Sequence, residues 1–338
     1  MNLPPEEFVT VTEDRELAFL GACFEHVGVS AQHAAAMARL LTNSDLRGVR
    51  SHGIAWASGY CRKFRDGELN ASPNIRVVHE IPTTTIIDGD GFLGYVPTMM
   101  ATQAAIAKAK QVGIGMGLVR HIGHNGAAGH YTRVCRDAGC IGFAVQGFRG
   151  DGNRRNQDPK PPSTYTGFPP MSFSIPASQE PAIVLDMVAH VVSGYNKPEY
   201  ADLPERIPAT FFKAMGLVAT ANLLGGALTG FTQPEGDEIA AKFPGATMGG
   251  MVLAIDVASM VPEEVFGAEV DRYIRDVCES FAPMPGQDEV VMPGHVEERI
   301  LAKHLREGIR YGEREQTAAR QMHDDWGVPL PWDKEERP

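Results

Sequence analysis

Cysteine is scarce in this chain. The 338 residues hold five, Cys23, Cys61, Cys135, Cys140 and Cys278, with no Cys-x-x-Cys pair. An odd count without paired spacing argues against a disulfide framework and suits thiols kept reduced in the cytoplasm. Positive charge is also short: 31 Lys and Arg stand against 42 Asp and Glu, a net charge of −11. Nucleic-acid binding needs a basic face, and anionic bilayer surfaces attract basic segments. The composition therefore predicts no nucleic-acid partner and no membrane partner; it says little about a small-molecule substrate, which local residues would read. No uninterrupted apolar run reaches the ~18 residues of a membrane span. The first residues, Met1 to Glu7, lack the basic-then-apolar pattern of a secretory leader. There is no internal repeat and no heptad pattern. A Gly-x-Gly-x-x-Gly turn after a strand, with an acid ~20 residues on, is missing too, which excludes the Rossmann fingerprint.

What is present reads as a globular α/β chain. Hydrophobic residues make up 43% and charged residues 22%. Its 36 glycines and 24 prolines are about 18% of the chain, against ~12% in average usage, so turns and close backbone approaches are frequent. The length predicts two or three domains. Thr12-Glu13-Asp14 opens a helix, Ser30 caps a second, and a third follows Ser51-His52-Gly53. Strands are expected at 75–78, 83–87, 113–119, 140–145, 171–175, 182–186 and 251–255. Helices are expected at 98–111, 127–138, 211–228, 261–280, 296–307 and 313–326. The segment 148–165, with Arg149, Arg154, Arg155 and Lys160 among glycines and prolines, reads as a basic loop. Both ends are mostly helical and the middle alternates. We therefore expect one helical unit from residues 1–75 with 286–338, for substrate binding and dimerisation, and a central α/β unit from 76–285 for cofactor binding.

Several groups of residues could carry chemistry. A histidine titrates near neutrality, so His52 in Ser51-His52-Gly53 can exchange a proton while Ser51 bonds the reacting oxygen. A satisfied structural histidine is the plainer alternative. His121, His124 and His130 could hold a metal, but their spacing suits no single helix face and no carboxylate or cysteine accompanies them. The other reading is a catalytic His124 in a strand-to-helix turn. There the N–H groups of Gly126-Ala127-Ala128 could meet a phosphate. Asp186 ends the apolar strand Ile183-Val184-Leu185 as either a cap or a ligand contact. Lys213 stands early in a helix of small residues, where a lysine opposes the helix dipole. Pro293-Gly294-His295 and Arg299 read as a turn and a helix surface.

Taken together, these motifs resemble the type-2 malate/L-lactate dehydrogenase family. That family includes malate, lactate, sulfolactate and ureidoglycolate dehydrogenases, a diketogulonate reductase and a piperideine-carboxylate reductase. Asp45-Leu46-Arg47-Gly48-Val49-Arg50-Ser51-His52-Gly53 is similar to its DLRGVxSHG. Asp88-Gly89-Asp90-Gly91 is similar to its VDGDxGxG, and His124 through Tyr131 to its HFGAAGYY. Val184-Leu185-Asp186-Met187 matches its LDMA strand, and Lys213 through Gly230 follows its KGYGLALMVELLAGVLSG in register. Pro293-Gly294 with Arg299 is similar to its LPGExxxR. The resemblance covers most of the chain. It implies the L-sulfolactate-dehydrogenase-like fold, a non-Rossmann mixed sheet with helices, and a homodimer using NADH or NADPH. It implies that His52 exchanges the substrate proton with Ser51 beside it. His124 would be a cofactor contact or a base. Gly126, Ala127, Ala128, Asp186, Met187, Lys213 and Arg299 would contact the cofactor.

The departures bear on the substrate. Four residues after the SHG histidine the family carries an arginine that clamps the substrate carboxylate; here stands Trp56. The family's Pro-Arg-Tyr nearby is Ser58-Gly59-Tyr60. Arg50 and the basic loop are the candidate replacement cations. Gln146-Gly147, Phe168-Pro169, Phe212 and Gly194-Tyr195 replace polar or charged family residues. Asn196 stands where some members have a third catalytic acid. Only 17 residues separate Tyr195 from Lys213, about half the family's usual number. A more apolar, more open pocket is expected, lined by Trp56, Tyr60, Arg50 and Phe168. The expected reaction is hydride transfer to or from a carbonyl/hydroxyl or cyclic imine/amine substrate larger or less charged than a small 2-oxo acid. Two alternatives remain. One is a cofactor-independent hydrolase, isomerase or lyase built on Ser51, His52 and His124; the other is a non-catalytic binding dimer.

Overall fold

The fold was analysed in a computed structural model, which describes residues 4–148, 169–190, 200 and 202–332. The basic loop from Arg149 onward, Phe168, Gly194-Tyr195 and Asn196 lie outside the described residues.

The chain starts with strand β1 (Val9–Val11) and helices α1 (Glu13–His26), α2 (Ala31–Leu46) and α3 (Ile54–Arg65). The sheet region follows: β2 (Arg76–Ile81), β3 (Thr84–Asp88), α4 (Tyr95–Val112), β4 (Ile114–Ile122), α5 (Gly129–Asp137) and β5 (Cys140–Phe148). Beyond the undescribed loop come β6 (Pro170–Ile175), β7 (Ile183–Val188), α6 (Leu203–Arg206), α7 (Pro208–Gly225) and α8 (Pro234–Lys242). The described chain closes with β8 (Met248–Asp256), α9 (Glu263–Ser280), α10 (His295–Glu307), β9 (Ile309–Tyr311) and α11 (Glu313–Trp326).

Seven strands form one mixed sheet in the order β2-β3-β4-β8-β5-β6-β7. Only β3 and β4 pair parallel; the other pairs are antiparallel. β8 enters from late in the chain between β4 and β5, so the sheet does not wind as a Rossmann fold does. α4 lies on β4 because the facing residues are small. A Cβ on Gly115 or Gly117 would sit 2.0 Å from the carbonyl oxygen of Ala105 or Ala101. Glycine strand positions against alanine helix positions allow this approach.

The end of β4 aims the chain at the site. Its register with β8 shifts between Val119 and Ile122, and His121 takes φ 54°. Such a bulge bends the strand. The turn that follows, residues 123–128, leads directly into α5.

The largest core cluster draws on both ends of the chain. Phe19, Leu20, Phe24, Met37, Leu41, Tyr60 and Phe64 pack with Tyr311, Ala319, Met322 and Trp326. β1 pairs with β9, Val9 opposite Tyr311 and Val11 opposite Ile309. Helix α3, which carries Trp56 and Tyr60 and follows Ser51 and His52, is thus clamped by the C-terminal segment.

Candidate active site

Ser51 and His52 lie in the turn before α3, and Trp56 and Tyr60 on its first two turns. Four-residue spacing puts the last two on one face. Their rings stack with centroids 6.0 Å apart and planes 23° from parallel. His124, from the turn after β4, completes the group. Its ring lies 5.8 Å from that of His52 and 5.8 Å from that of Trp56, with interplanar angles of 26° and 28°. Trp56 keeps 45% of its surface exposed. The result is a ladder of near-parallel rings with one open end.

Hydrogen bonding fixes the tautomer of His124. The Tyr60 hydroxyl lies 2.6 Å from Nδ1, and the Gly126 backbone N–H donates to the same nitrogen at 3.3 Å. An amide N–H can only donate, so Nδ1 accepts and the ring hydrogen sits on Nε2. Tyr60 donates its O–H, which burial keeps protonated well above the usual phenol range. Burial, with smaller contributions from His52 and Lys63, pulls His124 down to about 3. It is neutral at pH 7 and presents Nε2–H as a donor. His52 is lowered as well, by burial and then by Arg314. Its Nδ1 lies 2.9 Å from Ser51 Oγ.

The three clustered histidines take separate partners. His121 bonds Asp88 at 2.9 Å and His130 bonds Ser44 at 3.1 Å, while His124 faces Tyr60.

A second group adjoins the first through the residues after His124. Gly126 has φ 77°, and a Cβ there would lie 2.5 Å from the Tyr95 ring. Ala127 and Ala128 are buried, and α5 begins at Gly129. Asp186 on β7 reaches this helix start. Its carboxyl sits in a recess that still meets solvent, and desolvation pushes it up to about 6 against the opposing pull of Arg133 and the Gly129 N–H. Met187 follows it, opposite Met171. A Cβ on Gly129 would lie 2.5 Å from Asp186 Oδ2 and 2.6 Å from Arg133 Nη1.

Arg133 escaped the sequence reading. It is 6% exposed and makes no hydrogen bond or ion pair among the described residues. Burial lowers its pKa to about 10. A guanidinium buried without a hydrogen-bonded carboxylate is costly, and a bound anion would relieve it. Asn125 Oδ1 and Gln146 Oε1 are likewise buried without partners. Open donors and acceptors at a helix start, beside a cradle that excludes any Cβ, fit a dinucleotide with its phosphates and ribose hydroxyls.

Other expected contacts are placed differently. Arg50 forks onto Glu315 with distances of 2.9 and 2.6 Å. Arg299 on α10 pairs with Glu289. Lys213 lies exposed on α7 beside Phe212. The structure therefore brings Ser51, His52, Trp56, Tyr60 and His124 together, with Gly126 through Gly129 and Asp186 adjoining. It holds Arg50 and Arg299 in ion pairs.

The model of the malate/L-lactate dehydrogenase family matches residues 11–212 and 196–318. The chain belongs to the malate/L-lactate dehydrogenase family. Members of this family are oxidoreductases of the dehydrogenase or reductase type, and this chain is one of them. A malate dehydrogenase of Pyrococcus horikoshii is 27% identical over 313 residues, covering 81% of this chain and 84% of that protein. The ureidoglycolate dehydrogenase (NAD(+)) of Escherichia coli K12 is 24% identical over 315 residues, covering 83% and 86%. The solved malate dehydrogenase structure from P. horikoshii OT3 superposes with a TM-score of 0.80 over 97% of this chain and 98% of that one, at 24% identity. The dehydrogenase fold therefore spans the whole helical and sheet arrangement described above.

Proposed function

We propose that this family member transfers hydride between NADH or NADPH and a carbonyl/hydroxyl or cyclic imine/amine substrate with a planar apolar part, and that small 2-oxo acids are poor substrates. The observation that carries this is Trp56 stacked on His124; the family resemblance implies a carboxylate-clamping arginine at the position that Trp56 takes. A guanidinium fork supplies charged hydrogen bonds worth ~1.5–3 kcal/mol each; an indole supplies none. Arg50 does not replace it, because its fork is taken by Glu315.

When bound, the nicotinamide cofactor gives or takes the hydride. The rest falls to the chain. Trp56 and Tyr60 offer an apolar wall that excludes water and seats a planar group. His124 Nε2–H donates to the substrate oxygen or nitrogen. In the reducing direction the carbon of the C=O or C=N bond would gain the hydride, and His52 in its protonated, imidazolium form would give a proton to the heteroatom and be left neutral. In the oxidising direction neutral His52 takes that proton back. Its lowered pKa keeps it ready as a base at neutral pH. Gly126, Ala127, Ala128, Asp186, Met187 and Arg133 would hold the cofactor; the family resemblance adds Lys213 and Arg299. A relative whose name includes NAD(+) supports a nicotinamide.

A homodimer is part of the same reading. The stretch Pro208–Thr229, α7 and the turn after it, is as long and apolar as a membrane-crossing helix, yet only a third of its most apolar window is buried. α7 packs one face on the sheet and leaves Phe212 and Leu223 72% and 61% exposed. A second copy of the chain would cover them.

The second reading, cofactor-independent chemistry on Ser51, His52 and His124, draws on the 2.9 Å contact between Ser51 Oγ and His52 Nδ1. Titration with NADH and NADPH, followed by nicotinamide fluorescence, separates the two. Micromolar binding of either supports hydride transfer. Absence of binding at millimolar cofactor overturns it in favour of hydrolase and isomerase assays.

A further inference from the structure

Beneath the Ser51-His52-Gly53 turn lie two buried carboxyl groups from different helices. Asp45 ends α2 and is 2% exposed; Glu16 on α1 is fully buried. Asp45 Oδ2 accepts the Ile54 backbone N–H at 2.6 Å, so it caps α3 from another element. Gly53 is packed on the same carboxyl: a Cβ there would fall 1.9 Å from Oδ1 and 2.0 Å from Cγ. Only glycine fits between Asp45 and the histidine.

Among the described residues, Asp45 Oδ1 and both Glu16 carboxyl oxygens are buried without a hydrogen-bond partner. Two carboxylates cannot both be charged at such a place. The Ile54 N–H favours the charge on Asp45. Glu16 is therefore the neutral member, its pKa raised by burial and by Asp45. The other groups facing the pair complete the picture. The charge of Glu315 on α11 raises Asp45 and that of Arg50 lowers it. His304 on α10 bonds the Asp45 carbonyl at 3.1 Å.

The turn is held at its other end too. Arg50, immediately before Ser51, is gripped by Glu315 through two hydrogen bonds, and Glu315 Oε2 also accepts the Gly312 N–H at 3.0 Å. Ser51 and His52 thus span two fixed points, each a buried carboxylate.

We propose that Asp45 is the positioning residue of His52: its carboxylate, bonded to the Ile54 N–H and packed on Gly53, fixes the start of α3 so that His52 stands over His124. The catalytic consequence rests on His52 as the group that exchanges the substrate proton. The placement itself does not.

The test has a readout that needs no substrate. In protein labelled with ¹⁵N-histidine, the His52 ring signals are assigned through His52→Gln. Asp45→Ala is expected to move the His52 signals toward those of an unconstrained histidine and to leave those of His121 in place. Asp45→Asn, which keeps an acceptor for Ile54 N–H, should move them less. Glu16→Gln, a neutral side chain of the same shape as the protonated carboxyl, should leave them unchanged. Gly53→Ala drives a methyl group into an intact Asp45 and should reproduce the Asp45→Ala shift, which covers the case where Asp45→Ala does not fold. Unmoved His52 signals in folded Asp45→Ala or Gly53→Ala overturn the proposal. Where turnover is measurable, the expected pattern is a kcat loss of tenfold or more with KM and NADH affinity within twofold. A fall in thermal stability with kcat and the His52 signals unchanged would make Asp45 merely structural. If His52→Gln retains kcat, the proton-exchange reading fails, and the Asp45 result still stands on the spectra.

Discussion

The Tyr60 hydroxyl stands 2.6 Å from His124 Nδ1 and engages that nitrogen of the ring. With the Gly126 N–H on the same atom, the proton is forced to Nε2. Tyr60→Phe removes the stronger of the two constraints. We expect kcat to fall about tenfold, in line with one hydrogen bond of ~1.4 kcal/mol, while cofactor affinity stays within twofold. Steady-state kinetics beside NADH titration checks this; an unchanged kcat would remove Tyr60 from the mechanism.

Trp56→Arg should reverse the proposed preference. The new guanidinium would meet a carboxylate at the open end of the ring ladder. We expect kcat/KM for pyruvate or oxaloacetate to rise at least tenfold, consistent with one or two charged hydrogen bonds, and activity on aryl ketones or cyclic imines to fall. A comparison of the two substrate classes on both proteins measures it. No gain on either acid would mean that the clamp depends on more than this position.

Arg133→Met should weaken NADH or NADPH binding about tenfold without lowering thermal stability. The wild-type guanidinium is buried without a carboxylate in hydrogen-bond reach, so an apolar side chain of similar length removes a desolvation cost. Calorimetric titration and a melting curve together test both halves.

The buried histidines set an acid limit on stability. His130 is lowered to about 3, chiefly by burial, from an unfolded value near 6.5. Between those values the unfolded chain binds more protons than the folded one. Stability is therefore lost as pH falls from about 6.5 toward 3, by up to about 1.4 kcal/mol per unit for each such group. His130→Gln should flatten the dependence of urea midpoint on pH across that window. Asp186 and Asp45, raised to about 6 and about 7, act in the opposite sense, so the difference between variant and wild type is the quantity to measure.

Phe212→Asp with Leu223→Asp should give monomers if a second copy covers α7. Sedimentation equilibrium of the double variant against wild type decides it. A wild-type protein that is already monomeric would remove the dimer.

Much of this arrangement was legible in the chain. Turn glycines and short β-branched runs located the strands from β2 to β8, and the motif at His124 was rightly expected to link a strand to a helix. What stayed hidden depends on distant parts meeting. β1 and β9 are three residues each, too short to carry a periodicity, and exist only because the two ends pair. Arg133 looks like any exposed helix arginine until the Asp186 strand is laid beside it. Arg50 looked free to bind a substrate because Glu315 is 265 positions away. The Asp45–Glu16 pair is invisible for the same reason: nothing in either helix says that their carboxyl groups face each other.

The pairing of β1 with β9 also sets an order of events during synthesis. The turn bearing Ser51 and His52 and the helix bearing Trp56 and Tyr60 emerge from the ribosome long before Tyr311, Glu315 and Trp326. Until then Val9 and Val11 have no strand to pair with, Glu16 has no Tyr311 and Arg50 has no Glu315. The sheet can assemble while the catalytic turn is still unsupported. A nascent chain stalled before residue 309 should therefore hold a protease-resistant sheet and protease-sensitive residues 9–65, with activity switched on only once residues 309–326 have emerged.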